Sequence, residues 1–268
     1  MVALEEFSEI LELYEEACKF YESQMPGSKG EEYLFGRGIK PETIRDFRLG
    51  AASESRNSLL LHLLKLFPEE VISQSRLIYP YTEDEVYAHP ACDKFGNAQV
   101  IIPIIDIEGK VVNFDSRETK PEEQYCRYRG RICAQSKQGT SIVELVPLFY
   151  GLNLAKPHIL LEGEVLIVEG YIDVIRCHQE GIKNCIATRG TILEKSRFDL
   201  LNFLSPDLKI SVCFDNDEPG RKGEKAIRDY LKSDQNTSKR VTFYSLPDGE
   251  DPASIFENGG NLKDFLKS

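Results

Sequence analysis

"VCFDNDEPGRKG", residues 212–223, runs from an apolar segment into two alternating aspartates, Asp215 and Asp217, with Gly220 and the basic pair Arg221-Lys222 behind them. The stretch admits three readings: the opening of a calcium hand, an ordinary polar turn, or one half of a catalytic metal site. A calcium hand beginning at Asp215 requires an oxygen ligand at its fifth position and a bidentate glutamate at its twelfth. Those positions are Pro219 and Ala226, so the calcium-hand reading fails. The flanking chain decides between the other two.

From residue 160 onward, strand and helix patterns alternate. "EVLIVEG" (164–170) reads as a buried strand and "YIDVIRCHQEG" (171–181) as a helix ended by Gly181. "KNCIAT" (183–188) is a second strand, followed by a helix over about 194–204. "LKISVCFD" (208–215) is a third strand. The helix behind it, "GRKGEKAIRDYLKS" (220–233), carries Ala226, Ile227, Tyr230 and Leu231 on one side. "KRVTFYSL" (239–246) is a fourth strand. "DPASIFENGG" (251–260) then sets Asp251 as helix cap, Pro252 at the first helical position and glycine beyond the end. This alternation predicts an α/β fold with a four-stranded, mostly parallel sheet flanked by helices.

Parallel strands place all their carboxyl ends on one edge, the edge where open α/β sheets bind ligands. The first strand ends at Glu169, the third at Asp215 and Asp217, and the fourth runs into "LPDGED" with Asp248, Glu250 and Asp251. Asp173 lies one turn past Glu169 on the following helix. Each acid alone reads as a cap or a turn residue. Together they converge, and converging carboxylates repel unless protonated or neutralised. A hard divalent cation with oxygen ligands supplies that neutralisation.

Upstream the pattern is different. Residues 4–23 carry Leu4, Phe7, Ile10, Leu11, Tyr14, Ala17, Cys18 and Tyr21 at helical spacing, and "PGSKG" (26–30) ends the stripe. Short helices follow in "EEYLFGRGI" (31–39) and "KPETIRDFRLG" (40–50), with Pro41 at a first helical position, and over 57–67 and 68–75. "AQVIIPIIDIEGKVVNFDSR" (98–117) is a hairpin turning at Glu108-Gly109. Residues 116–140 read as loop, and a helix over about 144–156 is ended by Pro157. These elements predict an α+β subdomain over 1–157 and the sheet domain over 158–268.

Composition sets further bounds. The 268 residues are 41% hydrophobic and 29% charged, as in ordinary globular chains. No apolar run approaches the roughly 20 residues of a membrane helix, and the acidic, amphipathic start "MVALEEFSEILELYEEA" does not read as a signal peptide. A cytoplasmic protein without a membrane partner is the expectation. The seven cysteines lie scattered through apolar segments with no C-x-x-C pair, which suits reduced, buried thiols. His89, Cys92, Cys126 and Cys133 form a loosely spaced zinc candidate. The net charge of −11 argues against coating duplex DNA by bulk electrostatics. "CRYRGRICAQSK" (126–137) nevertheless gathers Arg127, Arg129, Arg131 and Lys137, either a solvated loop or a local phosphate-binding surface. No G-x-x-x-x-G-K-[ST] loop occurs, so a motor of that type is excluded.

A strand ending in "EG" with aspartate four residues after the glutamate, then "FDND" with "GRKG", then "LPDGEDP", resembles the TOPRIM domain of bacterial DnaG-type primases. "EEACKFYESQ…GEEYLFGRGIKPETIRDFRLG" resembles the start of the same catalytic core, and "IIPIIDIEGKVVNFDSR…LFYGL" its middle. The resemblance implies an isolated RNA-polymerase core with no counterpart of the family's zinc-binding and helicase-binding domains. It implies synthesis of short RNA primers from nucleoside triphosphates on single-stranded DNA, using Mg²⁺ or Mn²⁺, with more than one ion. Glu169 becomes the candidate general acid/base or metal-bound carboxylate, Asp215 and Asp217 metal ligands, and Asp173 and Asp251 supporting members. Arg117 matches a groove arginine, and Arg221 and Lys222 the basic tail of the acidic motif; Arg127 and Arg129 are further template candidates. A replicative helicase or a separate zinc-binding subunit is an implied partner, and the core is expected to be a monomer.

Departures from the family pattern fall on one acidic position and on several basic ones. Ala253 stands where a second aspartate is usual, Gln124 and Leu145 where lysines are, and "FGNAQVIIPI" (95–104) lacks arginines of the matching stretch. Two other functions remain open on sequence: a TOPRIM nuclease using the same acids, and a non-catalytic nucleic-acid-binding accessory module.

Overall fold

A computed structural model describes residues 7–55, 57–79, 92–95, 99–118, 149–188, 195–232 and 235–266. The chain divides into two compact units, Met1–Val146 and Pro147–Ser268.

The first unit is built on helix α1 (Ser8–Ser23), which buries Ile10, Leu13, Tyr14, Ala17, Cys18 and Tyr21. From Phe7 onward the expected stripe is there with one change, Leu13 being fully buried and Leu11 only partly so, while Leu4 lies outside the described residues. Short helices follow: α2 (Lys29–Gly36), capped by Ser28, whose Oγ accepts from Glu31 N at 3.1 Å, and α3 (Pro41–Asp46), with proline in its first turn. Strand β1 (Gly50–Ala51) precedes α4 (Ser58–Leu63) and α5 (Glu69–Ser75). Strands β2 (Ile78–Tyr79) and β3 (Cys92–Asp93) pair antiparallel. From β3, Asp93 accepts from Leu59 N and Leu60 N, each at 3.0 Å, capping α4 from a distance of more than thirty residues along the chain.

The predicted hairpin is β4 (Gln99–Ile105) and β5 (Val111–Glu118), paired antiparallel with β1 on the outer side of β4. Its turn is closed by Asp106 Oδ1, which accepts from Glu108 N and Lys110 N, both at 2.9 Å, while Gly109 takes a left-handed φ of +89°. Tyr14 and Tyr21 of α1 meet the Phe114 ring edge-on, with centroids 5.6 and 5.5 Å apart. Tyr14 Oη also donates to Ser75 O at 2.9 Å, tying α1 to the end of α5.

In the second unit, helix α6 (Leu152–Glu162) corrects one expectation: Pro157 lies inside it instead of ending it. At mid-helix the proline removes one internal donor and crowds the carbonyl four residues back, yet the helix runs on to Glu162. Gly163 is the actual stop, in the left-handed region at φ +66°, with its N–H on Ile159 O at 2.9 Å. The expected boundary near 157 therefore falls within a helix. The remaining elements are β6 (Glu164–Val168), α7 (Tyr171–Gln179), β7 (Cys185–Ala187), α8 (Lys195–Leu204), β8 (Lys209–Val212), α9 (Glu218–Leu231), α10 (Gln235–Ser238), β9 (Val241–Phe243) and α11 (Pro252–Glu257).

The sheet order is β7-β6-β8-β9, and every pairing is parallel. Val165 to Val168 are all buried, as a strand covered on both faces must be. From β6 the chain moves to β7 on one side, then crosses to β8 on the other. The switch point thus lies between β6 and β8, where ligands bind in folds of this type. Cys18, Cys177, Cys185 and Cys213 are free and buried, in keeping with reduced thiols. Among the described residues no helix is long and apolar enough to cross a membrane.

Packing of α1 onto β1 leaves no room at Gly50: a Cβ there would lie 2.4 Å from Tyr21 Cβ and 2.7 Å from the Tyr21 carbonyl carbon. Gly50→Ala is expected to lower unfolding free energy by about 1–3 kcal/mol in a urea titration, the range for overpacking a closed interior.

Candidate active site

The acids predicted from strand ends meet at the switch point of the second unit. Glu169 follows β6 directly, and Asp215 follows β8 after the buried pair Cys213-Phe214. Cys213 N donates to Ile167 O at 2.9 Å, carrying the β6–β8 pairing one step past the strand. Asp215 N then donates to Glu169 Oε1 at 3.2 Å, so the two loops are joined at the acids themselves.

Three other acids act as helix caps. Asp217 starts α9 by accepting from Gly220 N at 2.8 Å. Asp251 starts α11 by accepting from Ser254 N at 2.6 Å. Asp173 is buried and bridges two helix starts: Oδ2 accepts from Gly170 N at 3.0 Å and Oδ1 from Ala253 N at 3.1 Å. Ala253, which stands in place of an acid, thus contributes its backbone to the same cluster.

Gly220 and Asn216, to which the sequence reading gives no role, shape the site. A Cβ on Gly220 would fall 2.0 Å from Asp215 O and 2.6 Å from Glu169 Oε1, so only glycine lets the first turn of α9 approach both acids. A glycine inside a predicted helix was the available signal. Asn216 bonds to the loop before Asp251: Asn216 N donates to Glu250 O at 3.0 Å and Nδ2 to Leu246 O at 2.6 Å. No sequence pattern announced it.

The electrostatics follow from this crowding. Burial pushes Glu169 up to about 7, with Asp217 and Asp173 adding to the rise against the Asp215 N–H, which lowers it. Burial pushes Asp215 up to about 9, reinforced by Asp173, Glu169, Asp251 and Asp217. Asp215 Oδ1 is buried and has no hydrogen-bond partner.

Among the described residues no three histidine, cysteine or carboxylate side chains already converge as a ligand set. The reason is visible in the caps, which turn Asp173, Asp217 and Asp251 toward backbone donors. The donor chemistry still fits a hard divalent ion. All the groups are oxygens, Asp215 keeps an open buried acceptor, and Glu169 and Asp215 hold their protons more tightly than ordinary carboxylates because burial, reinforced by neighbouring acids, disfavours their charged forms.

The basic candidates are committed within the structure. Arg221 Nη1 donates to Asn216 O, Asn216 Oδ1 and Asp248 Oδ1 at 3.1, 3.0 and 3.2 Å, and Lys222 pairs with Glu218 at 2.6 Å on the helix surface. Arg117, in β5 of the first unit, stands over the Tyr33 ring at 5.5 Å. Arg127, Arg129, Arg131, Lys137, Gln124 and Leu145 lie outside the described residues, as do His89, Cys126, Cys133 and the side chain of Cys92.

Family comparison completes the picture. Residues 166–256 match the Toprim-like family, and residues 20–129 match the N-terminal domain of the DNA primase catalytic core. This chain belongs to the DnaG-type primase catalytic cores. The DNA primase of Pseudomonas aeruginosa is 32% identical over 268 aligned residues, which cover 94% of this chain and 37% of that protein. A solved DNA primase domain from the same organism is 30% identical with a TM-score of 0.75, covering 95% of this chain and 76% of that one. The zinc-binding and RNA polymerase domains of Aquifex aeolicus primase are 28% identical with a TM-score of 0.80, covering 97% and 61%. The chain thus spans between a third and just under half of the length of the curated primases it matches, 33% to 45%. Primases with the Toprim module use divalent metal, in keeping with the donor set of this DnaG-type core.

Because Glu169 and Asp215 hold protons more tightly folded than unfolded, folding takes protons up. The stability these two acids contribute to the metal-free core is therefore expected to be greatest below pH about 4 and to be lost as pH rises through about 7 and on toward about 9. Thermal melts across this range check it. Mg²⁺ should raise the melting temperature more at pH 8 than at pH 5, and Asp215→Asn should flatten the alkaline loss and remove the Mg²⁺ response. In the same assay Gly220→Ala should weaken the Mg²⁺ response, since it drives Asp215 and Glu169 apart.

Proposed function

We propose that this core joins ribonucleoside triphosphates into short RNA primers on single-stranded DNA, with Mg²⁺ or Mn²⁺ at the acidic edge. The observation that carries the reading is Asp215: a half-buried carboxylate with a buried, unused oxygen, among four other acids, at the switch point of a primase-type fold. Glu169, Asp215 and Asp217 would hold the ion, with Asp173 and Asp251 fixing the helix starts around them. The ion's contribution would be to stabilise charge on the attacking and leaving oxygens.

The chain's own residues supply placement and proton handling. The Asp215 N–H orients the Glu169 carboxylate. Where Glu169 is not itself held by the ion, it is placed to take the proton of an attacking 3′-hydroxyl. Asp217 starts α9, whose fourteen residues direct their N-terminal N–H groups toward the same edge. Arg221 and Lys222 lie in the first turns of that helix, where release from Asp248 and Glu218 would free them for a triphosphate. Arg117 is a further candidate nucleotide contact, and Arg127 and Arg129 candidate template contacts, on the resemblance alone.

The nuclease reading uses the same acids but leaves the primase-type first unit without a purpose. Both are tested by incubating the protein with single-stranded DNA, labelled ribonucleotides and Mg²⁺ or Mn²⁺. Labelled oligoribonucleotides are expected, falling by about 10²-fold or more in Asp215→Ala and Asp217→Ala, the scale of losing a preorganised charge-stabilising group. Template cleavage without ribonucleotide incorporation would overturn the proposal.

A further inference from the structure

We infer that Asn216 is a positioning residue that sets the cation affinity of the acidic edge by clasping the 246–250 loop onto the 215–217 turn. The inference rests on the reading of Glu169, Asp215 and Asp217 as the residues that hold the ion.

The problem that Asn216 solves is repulsion. The loop after β9 brings Asp248, Glu250 and Asp251 toward a turn that carries Asp215 and Asp217. Like charges on neighbouring segments repel, and Asp251 adds to the rise at Asp215. Asn216 lies between the two aspartates and opposes this without adding charge. Its N–H donates to Glu250 O at 3.0 Å and its carbonyl accepts from Gly249 N at 2.9 Å, a backbone pair open to any residue.

The side chain adds what only an amide of this length gives. Nδ2 donates to Leu246 O at 2.6 Å, and Leu246 is itself buried, so that carbonyl is a fixed anchor. Oδ1 meanwhile accepts from Arg221 Nη1 at 3.0 Å, and the same nitrogen reaches Asp248 Oδ1 at 3.2 Å. One neutral amide thus ties the second acidic loop to the first and recruits the arginine between them. Because Asp251 follows immediately on the clasped loop, its distance from Asp215 depends on the clasp holding.

The test is Mn²⁺ binding to the full chain, read as free-ion signal by electron paramagnetic resonance, with far-UV circular dichroism confirming folding. Asn216→Ala is expected to weaken binding by about tenfold, within the range for residues that orient metal-bound carboxylates. Asn261→Ala serves as a control for stability alone: it removes an acceptor for Lys263 N, at 3.0 Å, and takes part in none of the clasp's hydrogen bonds. It should melt lower yet bind Mn²⁺ as the wild type does. Asp215→Asn should bind no Mn²⁺. If Asp215→Asn abolishes binding while Asn216→Ala binds as tightly as wild type, the clasp is refuted and the metal reading stands. If Asp215→Asn binds normally, the metal reading falls and the inference falls with it. Should Asn216→Ala not fold, Arg221→Ala decides: weaker Mn²⁺ binding supports the clasp, and unchanged affinity overturns it.

Discussion

The hydrogen bond from Asp215 N to Glu169 Oε1, at 3.2 Å, is the contact around which the second unit is arranged. It exists because β6 and β8 are parallel neighbours on either side of the switch point, and because Gly220 lets α9 begin against both acids. Its consequence is a half-buried carboxylate pair with too little positive charge nearby. Hydrophobic burial holds the strands together, and the loops at their ends carry the electrostatic cost.

That cost is partly offset locally. Asp173, Asp217 and Asp251 each accept backbone N–H bonds at a helix start, where a negative charge is favoured by the helix dipole and by unpaired donors. Asp215 receives no such help at Oδ1. The division explains why one acid has the most elevated proton affinity of the cluster while its exposed neighbour Asp217 serves as an ordinary cap. A primase core built this way gains function from a site that its fold alone does not stabilise.

Much of this is legible in the sequence alone. Strict strand–helix alternation forces Glu169 and Asp215 to a common edge, and Asp251 before Pro252 announces a helix start. Glu108-Gly109 between two β-branched runs announces the hairpin. Other features were not legible because they depend on tertiary contact. Pro157 looks like a helix stop, but Gly163 supplies the left-handed residue that ends α6. Leu13 is buried where the periodic stripe named Leu11. Asn216 lies in a polar turn, where asparagine needs no explanation, and only the position of Leu246 O reveals its use. The basic tail misleads in the same way: Arg221 and Lys222 look free in sequence and are paired with Asp248 and Glu218 in the fold.

The most direct measurement is the anomalous difference density of crystals soaked in Mn²⁺. A peak beside the free Oδ1 of Asp215, shared with Glu169 and Asp217 at about 2.0–2.2 Å as hard-ion coordination requires, is the predicted result. An empty acidic edge at a saturating Mn²⁺ concentration, or ions bound only elsewhere on the molecule, would contradict it.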